Sequence, residues 1–411
     1  MVERPPHYGD HIAVDQQEGG GSPTVIYPGN GVAVSVLVIA ALFVLTQLYA
    51  AIPLLGPVGI SMEADATFAL STCFSVTYAV GFLIWGSISD RYGRKKVMTA
   101  SIGVLAVVTL LCSGASSLPI LAGLRALQGA AASGFAPVAL AYLTEAVVPR
   151  WRVRAIGAMS AAFLVAGIFG QVLASTIALR ASWSWFFFAC GVVLAMIFTI
   201  ILFSVVEVPN HTSSMTLLQH FGNLVVLLFR PAIVLLGIAH ITLLLSFVAL
   251  YTGIGHHLED LHVAASNTIL IRLAALPAMF ISLGVGALAE RIGAIRVAQV
   301  GFGLAAVGML GGTFTAQTIS GVVASSIVYV SGVALSIPSM IMLYGETAAP
   351  HRGSGMAING FVLFIGASIG ALVGKAIGGF GTLTLTLVAL LGIAAISLLT
   401  LGAIQRKDSS S

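Results

Sequence analysis

The sequence predicts an all-α membrane protein in which twelve transmembrane helices form two pseudo-symmetric six-helix bundles. The first observation behind this prediction is composition. Charged residues make up 8% of the 411-residue chain and hydrophobic residues 58%, whereas soluble domains contain about 25% charged residues. So few charges cannot cover the surface of a water-soluble fold of this length. The second observation is a series of long apolar runs, and the third is an internal repeat.

The apolar runs set the number of spans, because a helix needs about 20 apolar residues to cross a bilayer. Twelve runs are suitable, near residues 31–53, 67–88, 96–115, 118–144, 155–179, 183–206, 231–253, 266–288, 296–315, 317–345, 354–378 and 382–404. A further stretch at 216–229 is shorter, and Pro231 favours a helix break behind it. We predict that this stretch forms an interfacial helix and not a thirteenth span.

These runs divide the chain into five parts. We expect a disordered cytoplasmic tail at 1–30, a first bundle at 31–206, a central cytoplasmic loop at 207–230, a second bundle at 231–404 and a cytoplasmic tail at 405–411. The first tail is rich in proline, glycine and acidic residues and has no long apolar run, which argues against a signal peptide.

The positive charges predict the orientation of the spans. If the N-terminus lies in the cytoplasm, 14 of the 18 lysine and arginine residues fall on cytoplasmic segments. Lysine and arginine concentrate in the cytoplasmic loops of membrane proteins. We therefore predict that both termini are cytoplasmic and that the bilayer, not nucleic acid, is the partner of this basic chain.

The internal repeat has an offset of 200 residues. Segment 86–96 reads GSISDRYGRKK and segment 286–296 reads GALAERIGAIR. Two ladders of small residues also match at this offset, namely Ala166, Gly170, Ala174 and Ala178 against Gly366, Gly370, Gly374 and Gly378. Small residues four apart let two helices approach closely in lipid. Pro137 and Pro338, inside the fourth and tenth runs, predict kinks in both halves.

Several motifs resemble those of a known family. Segment 86–96 resembles the loop signature of the major facilitator superfamily, and LRALQG at 124–129 resembles its fourth-helix signature. The run YAAIPLLGP at 49–57 adds a resemblance to bacterial drug:proton antiporters and arabinose-efflux-like permeases. The resemblance extends over residues 31–405. It implies the major facilitator fold, a bacterial inner-membrane location and transport of a small molecule coupled to protons.

One motif departs from the antiporter pattern. The fifth helix reads AGIFGQ at 166–171, so Gln171 stands where the antiporter signature usually has proline. The direction of transport therefore stays open. The leading prediction is proton-coupled efflux of a drug, antibiotic or metabolite, and the alternative is a proton symporter or facilitator that imports a metabolite. A transporter-like receptor without transport is a distant alternative.

A gate is predicted at the cytoplasmic ends of the helices. Gly86 and Asp90 lie four residues apart on one helix face, so Asp90 can face the positive N-terminal end of helix 11 near Gly353. Breaking this contact would open the inner side, and the family resemblance implies the same role. The other predicted gate residues are Arg91, Gly93, Arg94, Glu145, Arg154, Glu290 and Arg291. The alternative is that the basic residues only set topology.

Arg125 and His240 are the candidates for proton coupling. A charged residue inside a membrane helix is costly, so Arg125 is a functional candidate, although its side chain can also snorkel to the interface. Because arginine does not deprotonate, Arg125 would tune a neighbour or hold an anionic group. Histidine titrates near neutral pH. His240 is therefore either the proton site or a neutral packing residue.

A central cavity is predicted between helices 1, 4, 7 and 10. Its candidate residues are Gln47, Tyr49, Gln128, Tyr142, Gln171, His240, Arg272 and Tyr329. Arg272 either contacts the substrate or snorkels. All 14 acidic residues fall in tails, loops or span ends, so a buried cation would find no counter-charge. We therefore expect a neutral or anionic apolar substrate.

Other functional classes lack residues to support them. No GxxxxGK[ST] loop or H-E-x-x-H helix occurs. The histidine-rich loop at 256–262 has no fixed metal-ligand spacing. We therefore expect no enzymatic activity, no metal and no cofactor. The proton gradient is the expected energy source, and the expected state is a monomer.

Overall fold

A computed structural model describes residues 13–14, 25–26, 30–207, 217–260, 262–263, 265–349 and 351–410. Within these ranges, twelve helices are long and apolar enough to cross a membrane, which confirms the predicted fold class. Strands β1 (Ala13–Val14) and β2 (Val25–Ile26) form a small antiparallel pair. The rest of the predicted tail before Asn30, the loop at 208–216 and Ser411 lie outside the described residues.

The first six spans are built from eight α-helices and one π-helical turn. Span 1 comprises α1 (Asn30–Tyr49) and α2 (Ala51–Ser61), and span 2 comprises the π turn Phe68–Thr72 and α3 (Cys73–Tyr92). Span 3 is α4 (Arg94–Cys112), span 4 comprises α5 (Leu118–Ala132) and α6 (Ala136–Ala146), span 5 is α7 (Pro149–Arg180) and span 6 is α8 (Trp183–Ser204).

The second six spans follow the short helix α9 (Leu217–Leu228), at the place of the predicted interfacial helix. Span 7 is α10 (Pro231–Asp260), and span 8 comprises α11 (Ala265–Ala274), α12 (Leu276–Met279), the 3₁₀ turn Phe280–Gly284 and α13 (Val285–Ile292). Spans 9 to 12 are α14 (Ala294–Thr315), α15 (Ile319–Thr347), α16 (Arg352–Ala376) and α17 (Phe380–Ser410). Most predicted boundaries are accurate to a few residues.

The two prolines act differently. Span 4 is interrupted between Ala132 and Ala136, and Pro137 lies in the first turn of α6, where a missing N–H costs nothing. Helix α15 continues through Pro338 without interruption. At the proline predicted to kink the first half the helix is interrupted, whereas the second half keeps a continuous helix.

The small-residue ladders bring helix backbones together within each bundle. A Cβ atom added at Gly370 would lie 3.0 Å from the Leu245 Cα, and one at Gly374 would lie 2.7 Å from the Ala249 carbonyl oxygen. In the first bundle, a Cβ atom at Gly170 would lie 3.1 Å from the Thr46 carbonyl oxygen. Span 11 thus packs on span 7 in the same way as span 5 packs on span 1. Each half of the internal repeat therefore contains the same closely packed pair of helices.

The two bundles meet along spans 2 and 11 and along spans 5 and 8. We call the face that carries Arg94 and Glu145 the inner face and the face that carries Asp65 and Lys375 the outer face, following the predicted orientation. Span 5 packs on α11, α12 and the 3₁₀ turn, which form the outer and middle parts of span 8. Helix α2 also packs on span 7 near the outer face. The outer ends of the bundles are therefore in contact.

Candidate functional site

A buried arginine lies at the centre of the first bundle. The Arg125 side chain is fully buried. Its Nε donates to the Leu70 carbonyl at 2.8 Å, and its terminal nitrogens donate to the Gln128 side-chain oxygen at 2.5 Å and the Gln47 carbonyl at 2.9 Å. The guanidinium carbon lies 4.4 Å from the centroid of the Phe74 ring. These contacts join spans 1, 2 and 4 around one cation.

Gln128 extends this network to span 3. Its side-chain nitrogen donates to the Gln47 side-chain oxygen at 3.2 Å and to the Thr109 hydroxyl at 2.8 Å. Gln47 and Gln128 are fully buried. Because their partners all belong to the first bundle, Arg125, Gln47 and Gln128 point into that bundle. Gln47 and Gln128, which were predicted to line a cavity between the bundles, instead bond within the first bundle in this arrangement.

The two backbone carbonyls that Arg125 binds lie in or near irregular helix geometry. Leu70 lies in the π turn, and Gln47 lies three residues before the α1–α2 junction at Ala50. Departures from α-helix inside a membrane leave carbonyls that need a donor from a neighbouring helix. Arg125 provides these donors. The contacts thus favour a structural role for Arg125 over the expected role in proton coupling.

His240 lies in a polar cluster inside the second bundle. The side chain is fully buried, its Nε2 lies 3.0 Å from the Asn359 side-chain nitrogen, and its ring lies 5.5 Å from the Tyr344 ring. The His240 Nδ1 and the Tyr344 hydroxyl are buried with no hydrogen-bond partner among the described residues. A buried polar atom without a partner is costly. The cluster therefore retains capacity for a proton or a polar group.

Aromatic side chains of span 7 lie at the boundary between the bundles. The rings of Tyr49 and Phe247 meet edge to face at 5.6 Å, and the Phe247 and Tyr251 rings are 4.8 Å apart. The Tyr329 hydroxyl lies 2.8 Å from the Ser246 hydroxyl within the second bundle. Of the three tyrosines predicted in the cavity, Tyr49 lies at the boundary and Tyr329 bonds within the second bundle.

The remaining predicted cavity residues in the first bundle are also buried. The Gln171 side-chain nitrogen donates to the Gly167 carbonyl at 2.7 Å, while its side-chain oxygen has no partner among the described residues. Tyr142 is buried in α6. All eight residues predicted to line a cavity are in fact buried, so they do not outline one open chamber in this arrangement.

Arg272 lies at the boundary between the bundles, near the outer face. One terminal nitrogen donates to the Ser175 hydroxyl of span 5 at 2.7 Å, so a hydrogen bond joins spans 5 and 8. The Arg272 side chain is nearly fully buried, and its Nε has no partner among the described residues. The structure thus supports contact with the opposite bundle instead of snorkelling.

An ion pair joins the bundles at the outer face. The Lys375 Nζ lies 2.5 Å from an Asp65 carboxylate oxygen. Burial alone would raise the pKa of Asp65, but hydrogen bonds from Lys375 and Thr67 hold this pKa below its usual value. The two side chains are 44% and 54% exposed, so the pair contributes at most about 1 kcal/mol.

Asp90, Arg94 and Glu145 form an ion-pair cluster at the inner face. The Arg94 guanidinium contacts the Asp90 carboxylate, and it lies 2.9 Å from a Glu145 carboxylate oxygen. All three residues belong to the first bundle, and a Cβ atom added at Gly86 would have no neighbour within 4 Å. The predicted contact between Asp90 and the start of span 11 is therefore replaced, in this arrangement, by a contact inside one bundle.

The turn between spans 2 and 3 requires a glycine at position 93. Its φ of 104° is a conformation that L side chains rarely adopt. The Glu207 carboxylate accepts hydrogen bonds from the backbone N–H groups of Lys95 at 3.0 Å and Lys96 at 3.2 Å. A Cβ atom at Gly93 would lie 2.9 Å from the Glu207 carboxyl carbon. Glu207 thus caps the positive N-terminal end of span 3.

Replacing Glu207 with alanine is expected to lower the free energy of unfolding by about 1–2 kcal/mol, because two N-terminal amide groups lose their acceptor. The midpoint of thermal unfolding in detergent measures this change. Glu346→Ala is the control, since Glu346 is exposed at the inner end of span 10. Equal midpoints for the two variants would contradict the capping role.

The other predicted gate residues lie outside the ion-pair cluster. Arg91 and Arg154 each lie over a ring of their own segment, at 5.7 Å and 4.7 Å from its centroid. Glu290 and Arg291 are exposed at the end of α13. Gly293 repeats the positive φ of the first-half turn, at 89°. The second-half loop therefore keeps the turn geometry, and its two charged residues face solvent.

Three contacting residues were not identified from the sequence. Asn359 is the single amide side chain in span 11, and that polar position was an available signal. Ser175 looked like one more small residue of a packing ladder. Glu207 follows span 6 in a loop, where an acid is ordinary. Their roles depend on neighbours more than 90 residues away in the chain.

Comparison with known proteins identifies the family. Residues 34–371 match the Major Facilitator Superfamily. An uncharacterised transporter of Buchnera aphidicola subsp. Schizaphis graminum is 26% identical over 249 residues, which are 60% of each protein. The multidrug export protein EmrB of Haemophilus influenzae is 32% identical over 117 residues, which are 28% of this chain and 23% of that protein. These matches span less than two thirds of the relatives' length.

A solved structure has a similar fold. The human organic anion transporter MFSD10 (TETRAN) superposes with a TM-score of 0.69 and 15% identity, over 90% of this chain and 100% of that one. At this identity the likeness shows the fold alone. The family match covers most of the chain and agrees with the twelve spans, which confirms the resemblance seen in the sequence. The chain belongs to the Major Facilitator Superfamily and is a multi-pass membrane transporter.

Proposed function

We propose that this transporter exports a neutral or anionic apolar small molecule across a bacterial inner membrane by alternating access, as a monomer driven by the proton gradient. The observation that carries the proposal is the position of the contacts between the bundles. The hydrogen bond of Arg272 with Ser175 and the ion pair of Lys375 with Asp65 both lie towards the outer face. A closed outer face supports loading of the substrate from the cytoplasm.

The inner ion-pair cluster fits the same cycle. Asp90 pairs with Arg94 inside the first bundle while the outer face is closed. When the inner face closes, we assign Asp90 to the positive N-terminal end of span 11, as the sequence predicts. The exchange of one partner for another gives the two states different contacts, which a two-state carrier requires.

The charges inside the membrane support the class of substrate. The ionisable candidates away from the span ends are Arg125, His240 and Arg272, and the acidic residues lie in tails, loops or span ends. An unpaired organic cation would be costly in such a site. Sequence similarity to a multidrug export protein supports export.

His240 is the residue that we assign to proton coupling. Asn359 contacts one ring nitrogen, and the other, Nδ1, is buried without a partner among the described residues. Protonation of His240 would place a positive charge inside the second bundle, which costs desolvation energy. Exposure of the ring to water would remove this energetic cost. Proton uptake therefore favours a different arrangement of the bundles, which links the proton to the movement.

Inside-out membrane vesicles with an imposed pH gradient test this proposal. We expect an acidic interior to drive uptake of neutral and anionic compounds from a labelled panel, and a protonophore to abolish it. His240→Gln is expected to remove gradient-driven uptake and to keep exchange of substrate at equal pH. His256→Gln is the matched control, because His256 is exposed at the outer end of span 7.

Other results would favour other functions. Gln171 stands in place of the usual antiporter proline, which favours import as the second candidate. Gradient-driven uptake into right-side-out vesicles would establish a symporter, and the absence of flux in both orientations would favour a receptor. Strong extrusion of ethidium would contradict the proposed substrate class.

A further inference from the structure

We infer that Arg272 binds the anionic group of the substrate, and that the substrate is a flat aromatic molecule with one carboxylate. This inference rests on the proposed function, because it names the ligand of the same transport path. It begins with the hydrogen bonds of the guanidinium. Arginine has five N–H donors, and the contacts of Arg272 with described residues comprise one hydrogen bond, to Ser175.

The unused Nε donor of Arg272 is buried. Its side chain is 4% exposed, and Nε has no partner among the described residues. A buried cation with unsatisfied donors is costly unless an anion or further acceptors complete it. A carboxylate can accept two parallel N–H bonds from one guanidinium. The side chain is therefore prepared for a carboxylate.

Arg125 provides a contrast within the same molecule. All three of its nitrogens donate to oxygens of the first bundle, at 2.5–2.9 Å. Those oxygens are held by helices, so each nitrogen of Arg125 already donates within the first bundle and three of its five N–H donors are used. Arg125 and Arg272 are the two buried arginines among the described residues, and Arg272 is the one with a nitrogen, Nε, that has no acceptor. It is also the one that lies between the bundles.

The charges around Arg272 leave its positive charge without an ion pair. Among the described residues, the ion pairs within 4.0 Å do not include Arg272. Glu259 and Tyr251 act on the guanidinium electrostatically. Glu259 is exposed at the outer end of span 7, where water screens it, and the Tyr251 hydroxyl lies 3.0 Å from the Ser326 hydroxyl. The site thus attracts an anion.

The neighbouring rings indicate the rest of the ligand. Phe247, Tyr251 and Gly255 follow one another at intervals of four, so they share a face of span 7. Phe247 also contacts Tyr49 of the first bundle, which places this face at the boundary. A Cβ atom at Gly255 would lie 3.8 Å from an Arg272 terminal nitrogen. The row formed by the Phe247 and Tyr251 rings therefore ends at the guanidinium of Arg272. This arrangement suits a ligand that has an aromatic ring and a carboxylate.

Matched pairs of ligands test the inference on the purified full-length protein in detergent. The probes are 1-naphthoate with its neutral amide 1-naphthamide, and indole-3-acetate with indole-3-acetamide. Binding is measured by equilibrium dialysis of labelled ligand. The variants are Arg272→Gln, Arg272→Lys and Ser175→Ala, and the unfolding midpoint of each variant confirms that it is folded.

We expect the wild type to bind at least one carboxylate about tenfold or more tightly than its amide, since a charge-assisted bidentate contact is worth at least this ratio. Arg272→Gln should bind both members of that pair equally, and Arg272→Lys should recover part of the preference. Ser175→Ala should keep the full preference, because it removes an internal acceptor and not the cation.

The inference is overturned if no carboxylate is preferred by the wild type, or if Arg272→Gln keeps the preference. Vesicle transport separates this failure from failure of the proposed function. Proton-driven uptake of the neutral amides with an unchanged carboxylate preference in Arg272→Gln would leave export standing and remove the role of Arg272. Loss of the carboxylate preference in Arg272→Gln, combined with no proton-driven flux in either vesicle orientation, would support the role of Arg272 and contradict proton-driven export.

Discussion

Replacing Arg125 with glutamine is expected to prevent stable folding of the first bundle. The shorter side chain leaves the carbonyls of Leu70 and Gln47 without the donors that they now have. Each buried carbonyl left without a donor costs about 1–3 kcal/mol, so two such losses are a large part of the stability of a typical protein. The yield of monodisperse protein and its thermal unfolding midpoint in detergent measure the loss.

Two further variants make this result specific. Arg125→Lys keeps the charge, but an ammonium group cannot reproduce the planar donors that reach spans 1, 2 and 4, so we expect it to be nearly as unstable. Arg180→Gln should match the wild type, because Arg180 is exposed at the outer end of span 5. A normal unfolding midpoint for Arg125→Gln, combined with loss of transport, would instead restore the coupling role predicted from the sequence.

Replacing Gly370 with leucine is expected to separate spans 7 and 11 and abolish transport. A Cβ atom alone would lie 3.0 Å from the Leu245 Cα and 3.1 Å from its carbonyl carbon. Backbone atoms cannot move aside as the end of a flexible side chain can. Overpacking costs about 1–3 kcal/mol or more for smaller additions than leucine. Vesicle uptake and the unfolding midpoint are the measurements.

The same ladder supplies the control. Gly378 is the last glycine of the series, and a Cβ atom there would have no neighbour within 4 Å. Gly378→Leu should therefore retain transport and stability. Gly170→Leu should repeat the damage in the first bundle, because its Cβ atom would lie 3.1 Å from the Thr46 backbone. Similar behaviour of Gly370→Leu and Gly378→Leu would show that the close approach is not required.

Much of the scaffold was predictable because bilayer physics acts on local sequence. Apolar runs, positive loops and small-residue ladders each depend on residues close together in the chain, and they predicted twelve spans. The ladders predicted that spans 5 and 11 each approach another helix closely, but not which helix that is. Proline chemistry predicted an irregularity in span 4 at Pro137, whereas α15 continues through Pro338.

The site was less predictable, because the direction of a buried side chain depends on distant partners. Arg125 and Arg272 looked alike in sequence as single cations inside apolar helices. Their difference arises from Leu70 and Gln47 in one case and Ser175 in the other. Helical periodicity did not reveal which carbonyls a π turn would release. For the same reason the sequence included Arg94 among several candidates near Asp90 but could not select it as the partner.

The ring cluster between spans 2 and 11 has a consequence for ion leakage. Phe364 contacts Tyr78 at 4.4 Å and Phe82 at 5.3 Å, near the middle of both helices. When two bodies tilt in opposite directions about such a point, the middle moves least and the ends move most. We expect these rings to lie at the pivot of the movement and to exclude water throughout the transport cycle. A persistent dry barrier would prevent a continuous water wire along this seam, so that protons cross only with the carrier's own turnover.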